Sequence, residues 1–147
     1  MSKNENITAF YIGSMISSVV GGILLLFTDF SGWNGSNYYL SVYSWGYFGP
    51  NTEDPISIVP FLIIAGMLFY CTYISYLGFQ GNGVESKLLN QAYWLAFAAM
   101  VVCIIFAIVF VILISEEDVE WWFDAGFYGG IIGSALTVVF LYQVKKE

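Results

Sequence analysis

The chain has 147 residues, of which 59% are hydrophobic and only 10% are charged, and its formal net charge is −7. Soluble proteins carry about 25% charged residues, so this composition excludes an ordinary soluble domain and predicts an integral membrane protein. Histidine and arginine are both absent from the sequence, which excludes histidine metal sites, histidine general bases and arginine phosphate clamps.

Four apolar stretches follow one another along the chain, at about 7–28, 56–79, 88–115 and 121–144. A bilayer core about 30 Å thick needs about 20 apolar residues per helix, so each stretch can cross once. We therefore predict an all-α membrane protein in which residues 1–147 form one four-helix transmembrane bundle, with a small extracellular β-hairpin or sheet in the first outer loop, 29–55. The first stretch lacks a basic leader and a clean cleavage site, so we expect it to be retained.

The lysines predict the orientation of the bundle. Lys3, Lys87, Lys145 and Lys146 all fall in segments that four crossings place on one side, and the positive-inside rule makes that side the cytoplasm. Eight of the eleven acidic residues lie in or beside the other two loops, where no basic residue occurs. We expect a multi-pass protein of the plasma membrane with both termini in the cytoplasm and an acidic outer face.

Small residues recur at a spacing of four on the first and fourth helices, where they allow a neighbouring backbone to approach closely. The first helix carries one such row and the fourth carries another: Gly13, Ser17 and Gly21; Gly126, Gly130 and Ser134. A second row lies beside each of them, at Ser14, Ser18 and Gly22 on the first helix and at Gly129 and Gly133 on the fourth. These rows predict packing between the two helices of one bundle, with lateral self-association or docking of a partner as the alternative.

The first outer loop is unusually rich in aromatic rings. Its strand-forming residues and bounding glycines favour two or three short strands within 37–48. One face would rest on the helix ends, and the other would stay wet or meet a partner. The candidate interaction residues of this loop are Trp33, Tyr39, Tyr43, Trp45, Tyr47 and Phe48. Asn34 begins a glycosylation sequon on the predicted outer side, whereas the sequon at Asn6 lies on the predicted inner side.

The second outer loop, SEEDVEWWFD, is acidic and short. Glu116, Glu117 and Asp118 join the candidate interaction surface. They could hold a cation through oxygen ligands, although they lack the spacing and glycine of a dedicated calcium loop, and a solvated rim is the alternative. Trp121 and Trp122 are predicted to belong to the aromatic belt at the membrane interface, with ligand stacking as the alternative.

The apolar stretches contain no catalytic set. No ionisable acid or base lies near the centre of a predicted helix, which disfavours a pump or a proton-coupled transporter. Cys71 and Cys103 are predicted at different depths, about 12 Å and about 21 Å from the inner helix ends, so we expect buried free thiols rather than a disulfide. We predict no enzymatic activity, no metal site and no cofactor.

The layout resembles the claudin and peripheral myelin protein superfamily. Shared features are four helices, a longer first outer loop, a short second one, and the motif FSGW after the first helix followed by SWGYFG. Trp33 matches the first loop tryptophan of claudins, and Gly46, Tyr47 and Phe48 match the Gly-Leu-Trp motif as an aromatic variant. The two claudin loop cysteines are absent and the loop is shorter, so a paracellular barrier role does not carry over. The resemblance implies a left-handed bundle with a small outer sheet.

These observations predict a non-enzymatic tetraspan membrane protein that acts in adhesion, assembly or membrane organisation through its acidic, aromatic outer loops. Its expected partners are the lipid bilayer and either a second copy of the chain or another membrane or surface protein, and no nucleic acid. Two alternatives stay open: a small oligomeric channel or transporter, in which the acidic rim attracts cations, and an accessory subunit of a larger membrane complex.

Overall fold

A computed structural model describes residues 3–34, 42–44, 58–81, 83–115 and 120–147. It contains four helices, α1 (Lys3–Phe27), α2 (Ile58–Phe79), α3 (Ser86–Ile114) and α4 (Ala125–Lys146). Each helix is long and apolar enough to cross a membrane, which confirms the prediction of four membrane-spanning helices. Three short strands accompany them: β1 (Ser31–Asn34), β2 (Val42–Ser44) and β3 (Glu120–Phe123).

The helices form a ring in chain order. α1 packs most extensively on α4 and also on α2, while α3 packs on α4 and α2. The chain termini and the connection between α2 and α3 lie at one end, called here the termini end, and the strands lie at the other, the sheet end. One apolar core cluster lies towards each end of the bundle.

The strands form one antiparallel sheet in the order β2-β1-β3. β1, directly after α1, pairs with β2 of the first loop on one side and with β3, between α3 and α4, on the other. The prediction of a small sheet is confirmed, but its confinement to the first loop was wrong, because the second loop supplies a strand. Residues 121–123 therefore form β3 rather than the first turn of the fourth helix.

The start of α4 is determined by a capping residue. Asp124 has an extended backbone conformation, and its side chain accepts a hydrogen bond from the backbone N–H of Ala125 at 2.6 Å. Asp is among the preferred N-cap residues because it satisfies an N–H group that has no partner within the helix. The cap separates β3 from α4, so the two tryptophans before it can lie on a strand.

The helices combine buried rows of small residues with exposed faces of large aliphatic ones. α3 shows this most clearly, since its buried positions include a seam of small residues at heptad-like spacing: Ala92, Ala96, Ala99, Cys103 and Ala107. Its exposed side carries large β-branched and aliphatic residues such as Ile105, Ile108 and Leu113. This pattern is expected of a helix whose outer face meets lipid, because lipid solvates apolar side chains and close packing rewards small ones.

Exposed aromatic side chains occur near both ends of the helices. Trp121, Trp122 and Tyr128 are exposed at the sheet end, and Trp94 and Tyr142 are exposed towards the termini end. Aromatic side chains of this kind prefer the level of the lipid headgroups. The second group was not singled out in the sequence, and together the two groups bracket a slab that the four helices cross.

Candidate interaction surface

One face of the sheet lies on the helix ends and is strongly aromatic. Trp33 of β1 and Trp121 of β3 stand opposite each other in the strand register. The ring centroids of both lie 6.0 Å from that of Phe110 on α3. Phe123 lies on the same face by strand alternation and places its ring 5.8 Å from Phe110. These contacts fix the sheet against the end of α3.

Further rings continue this contact into the bundle. Phe123 stacks on Phe127 of α4 with a centroid distance of 4.0 Å. Phe30, which is fully buried between α1 and β1, lies 4.9 Å from Phe61 and 5.5 Å from Phe127. The sheet is therefore anchored to α2, α3 and α4 through aromatic contacts, each of which adds about 0.5–1.5 kcal/mol beyond the burial of its area.

On the opposite face of the sheet, Gly32 lies beneath the ring of Trp122. Gly32 stands opposite Trp122, and a Cβ atom at Gly32 would lie 2.8 Å from Cζ2 of the Trp122 ring. The missing side chain thus leaves room for the indole to lie across β1. Trp122 remains 37% exposed and Trp121 40% exposed, and Glu120 beside them is also exposed. This face therefore presents the Trp122 indole and the Glu120 carboxylate together, whereas Trp121 is exposed from the bundle-facing side, where its ring contacts Phe110.

The predicted interaction residues are only partly within the described residues. Trp33 is half-buried on the bundle-facing side of the sheet, and Tyr43 lies in β2 opposite Trp33. Asn34 lies in β1, opposite Val42 on one side and Glu120 on the other. The remaining predicted residues lie outside the described residues: Tyr39, Trp45, Tyr47, Phe48, Glu116, Glu117 and Asp118.

The small-residue row of α1 faces α4. A Cβ atom at Gly21 would lie 2.8 Å from the carbonyl oxygen of Gly129 and 3.2 Å from Cα of Gly133, so the two backbones are in direct contact there. One turn away, the hydroxyl groups of Ser17 and Thr137 are hydrogen-bonded at 2.9 Å. Gly21 thus meets the shorter α4 row of Gly129 and Gly133, and not the longer row that the sequence suggested as its match.

The two rows of α1 make three further contacts. Near the termini end, a Cβ atom at Gly13 would meet the ring of Phe140 at 2.8 Å. The other small row of α1 faces α2, where Ser75 donates to Ser14 at 2.8 Å and Ser18 shares a 2.8 Å hydrogen bond with Thr72. α1 is therefore joined to both neighbours by hydroxyl pairs.

The longer α4 row has separate neighbours. A Cβ atom at Gly126 would lie 2.7 Å from the carbonyl oxygen of Asp29, which accepts the Gly126 N–H at 2.9 Å. A Cβ atom at Gly130 would meet Cys103 Sγ of α3 at 2.9 Å. Ser134 is fully buried and donates to the carbonyl oxygen of Gly130. This row therefore packs against the backbone that follows α1 and against α3.

The interhelical hydroxyl pairs are the feature that sequence reasoning missed. The serines of α1 were read as small residues only, and Thr72, Ser75 and Thr137 were not singled out. A hydroxyl group inside an apolar span is nevertheless a usable signal, because it needs a partner there. Pairing each one with its partner required the packed helices.

The cysteines are free and buried, as predicted. Cys71 belongs to the core cluster towards the termini end, and its thiol donates to the carbonyl oxygen of Ala92 at 3.2 Å. Cys103 belongs to the cluster towards the sheet end. Within the described part of the chain, no group of three or more His, Cys, Asp or Glu side chains could hold a metal ion.

Comparison with protein-family models, with curated proteins and with solved structures finds no match for this chain.

Proposed function

We propose that this chain is a non-enzymatic tetraspan membrane protein that assembles with itself or with another membrane or surface protein through its sheet end. The observation that supports this most directly is the pairing of β1 with β3. It makes one continuous surface from two loops that are separate in sequence. A partner would therefore meet β1 and β3 together.

The chemistry of the described surface suits a protein contact. Trp121 and Trp122 are exposed beside Glu120, and tryptophan is enriched at the energetic centres of interfaces because it buries a large area with few rotatable bonds. Anchoring by the rings beneath the sheet holds this surface in one conformation, which lowers the entropic cost of binding. The acidic residues before β3 would favour a partner with a basic surface.

The segregation of lysines supports placing the sheet end outside the cell and both termini in the cytoplasm, with the chain in the plasma membrane. The layout that resembles claudins agrees with a role in adhesion or membrane organisation. Single cysteines at Ser36 and Lys87 test the orientation in intact cells treated with an impermeant thiol reagent. We expect labelling at position 36 only, and labelling at position 87 alone would invert the topology.

Photocrosslinking in native membranes tests the proposed contact. Trp122→p-benzoylphenylalanine places the probe on the sheet surface, and Trp94→p-benzoylphenylalanine is the matched control, because Trp94 is a more exposed tryptophan, 56% against 37%, towards the other end. We expect a discrete protein adduct from position 122 and only lipid adducts from position 94. Protein adducts of equal yield at both positions, or at neither, would contradict a surface localised at the sheet end.

The mass of that adduct separates the open alternatives. A dimer of this chain, or one defined partner, supports assembly or adhesion. Adducts to several subunits of one cofactor-bearing complex would instead assign an accessory role. Ion flux through liposomes that contain only this chain would support the oligomeric channel.

A further inference from the structure

The four helices do not close at the termini end. A cavity of about 490 Å³ opens there, which lies within the size range of small-molecule sites, about 300–1,000 Å³. Its apolar wall comes from α1, α3 and α4, through Ile7, Tyr11, Leu89 and Val144. The connection between α2 and α3 borders the remaining side. The packing of the helices thus leaves a concave site at this end.

Glycines shape the connection that borders the cavity. Gly81 and Gly83 have positive φ angles of 77° and 61°, and a Cβ atom at either would meet nothing within 4 Å. Gly78 is different, because a Cβ atom there would clash with the ring of Tyr11. The absence of a side chain at Gly78 therefore lets Tyr11 stay against α2 and out of the cavity.

The cavity carries polar groups in addition to its apolar wall. Lys145 is the only charged side chain among the described residues that line it, and Ser86 adds a hydroxyl group. The ammonium group of Lys145 donates to Asn90 Oδ1 at 2.8 Å and lies 4.5 Å from the ring centroid of Tyr93. Asn90 and Tyr93 do not line the cavity, so the ammonium group lies at its edge, where its three N–H donors allow it to bond an anion in addition to Asn90.

The level of the cavity along the bundle indicates the class of molecule that would occupy it. Tyr142, exposed on α4, lies less than one turn before Lys145. Exposed tyrosine and lysine side chains at a helix end occupy the level of the lipid headgroups. A site at this level, with an apolar wall and a cation, matches a molecule with an alkyl chain and an anionic head.

We propose that the cavity at the termini end binds an anionic membrane lipid, with part of an acyl chain against Tyr11, Leu89 and Val144 and the phosphate beside Lys145 and Ser86. This site is independent of the proposed contact at the sheet end. Binding would hold α1, α3 and α4 together where their packing is open. The ligand class is an anionic phospholipid, and phosphatidylglycerol is the simplest probe.

Native mass spectrometry of the full chain in detergent tests the proposal. Phosphatidylglycerol and phosphatidylcholine are titrated in parallel, and the bound fraction is measured for each. We expect one phosphatidylglycerol to be retained in preference to phosphatidylcholine. Equal retention of the two lipids would overturn the proposal, because the site would not recognise the anionic head.

Three variants locate the binding. Lys145→Gln should weaken retention of phosphatidylglycerol about tenfold, as expected for the loss of a charge-assisted hydrogen bond. Lys146→Gln makes the same charge change at the adjacent exposed residue, which does not line the cavity, and should leave retention unchanged. Val84→Trp keeps every charge and fills the cavity from its rim, so it should abolish retention.

Two results would overturn the proposal. If Lys145→Gln and Lys146→Gln weaken retention equally, or if Val84→Trp has no effect, the lipid is held by surface charge and not in the cavity. If inorganic phosphate displaces the lipid completely, the site recognises a soluble anion and the acyl chain contributes nothing. Far-UV circular dichroism and the unfolding temperature of each variant exclude misfolding as the cause of a loss.

Discussion

α1 and α3 cross the same bundle but are held in different ways. The most apolar window of α1 has a mean hydropathy of 2.0, and that of α3 has a mean hydropathy of 3.4, yet α1 is the more buried of the two. In water the more apolar helix would be expected inside. In a bilayer lipid already solvates apolar surface, so close approach and hydrogen bonding decide which helix packs most tightly.

The contacts of the two helices follow this rule. α1 meets α4 backbone to backbone at Gly21 and forms hydroxyl pairs with both neighbours. α3 contributes a seam of alanines to the middle of the core, with larger buried residues only near its ends, and most of its other large side chains point outwards. We infer that the α1 contacts supply most of the helix association, and four predictions test this difference from the largest expected effect to the smallest.

Gly21→Leu should have the largest effect. The added side chain meets the Gly129 carbonyl oxygen and Gly133 Cα, and backbone atoms cannot rotate away, so we expect about 3 kcal/mol of destabilisation, the upper part of the range for overpacking. Thermal unfolding in detergent measures it. Gly66→Leu is the matched control, because Gly66 is exposed on α2 with nothing within 4 Å of its Cβ position. Equal unfolding temperatures for the two variants would refute close α1–α4 packing.

Ala99→Leu on α3 should cost less, about 1–2 kcal/mol. Ala99 is fully buried in a cluster with Phe61, Ile64 and Leu68, and these side chains can adjust where a backbone cannot. Ala98→Leu, at a neighbouring position that is only partly buried, is the control and should be nearly neutral. If Ala99→Leu lowered the free energy of unfolding as much as Gly21→Leu does, α1 would not be packed more tightly than α3.

The Ser17–Thr137 hydrogen bond should contribute a small coupling energy. A double-mutant cycle with Ser17→Ala and Thr137→Val should give about 0.6 kcal/mol, the average for hydrogen bonds between helices in a membrane protein. The same cycle with Ser18→Ala in place of Ser17→Ala should give a value near zero, since Ser18 bonds to Thr72 on α2. Equal coupling energies in the two cycles would mean that the coupling does not come from the Ser17–Thr137 hydrogen bond.

Gly32→Val should have the smallest effect, about 0.5 kcal/mol, because the nearest atoms belong to the partly exposed Trp122 ring, which can move into solvent. The substitution tests whether the Trp122 ring of β3 lies across β1 at Gly32. The variant should increase the access of an aqueous quencher to tryptophan fluorescence. With Trp122→Phe already present the increase should disappear, and its persistence would place the change at another tryptophan.

Much of the fold could be read from local patterns. The length and hydropathy of four stretches predicted four spanning helices, and the predicted depths of Cys71 and Cys103 correctly indicated free thiols. The start of α4 was predicted four residues early, because a Trp-Trp-Phe segment is as apolar as a helix end. Asp124, a good N-cap residue, was the available signal for the true boundary.

The candidate surface was less predictable. Trp33 was singled out from its motif, but its position opposite Trp121 joins residues 88 positions apart in the chain. No local periodicity contains that pairing, since strand register is set by which side chains fit against the helix ends. The cavity at the termini end likewise arises where helices separate, and its wall residues appear in the sequence as ordinary core positions.

Three properties of the molecule follow from the amino-acid sequence alone: four helices long and apolar enough to span a membrane, the segregation of the lysines, and the small-residue rows on α1 and α4. These properties depend on composition and spacing along one segment, which the bilayer selects directly. Three other properties arise only when the helices pack: Gly21 meets Gly129 and Gly133, the second loop adds a strand beside β1, and a cavity stays open at the termini end. Whether Gly21 meets the longer or the shorter α4 row depends on the rotation of each helix about its axis, and that rotation depends on all the contacts at once.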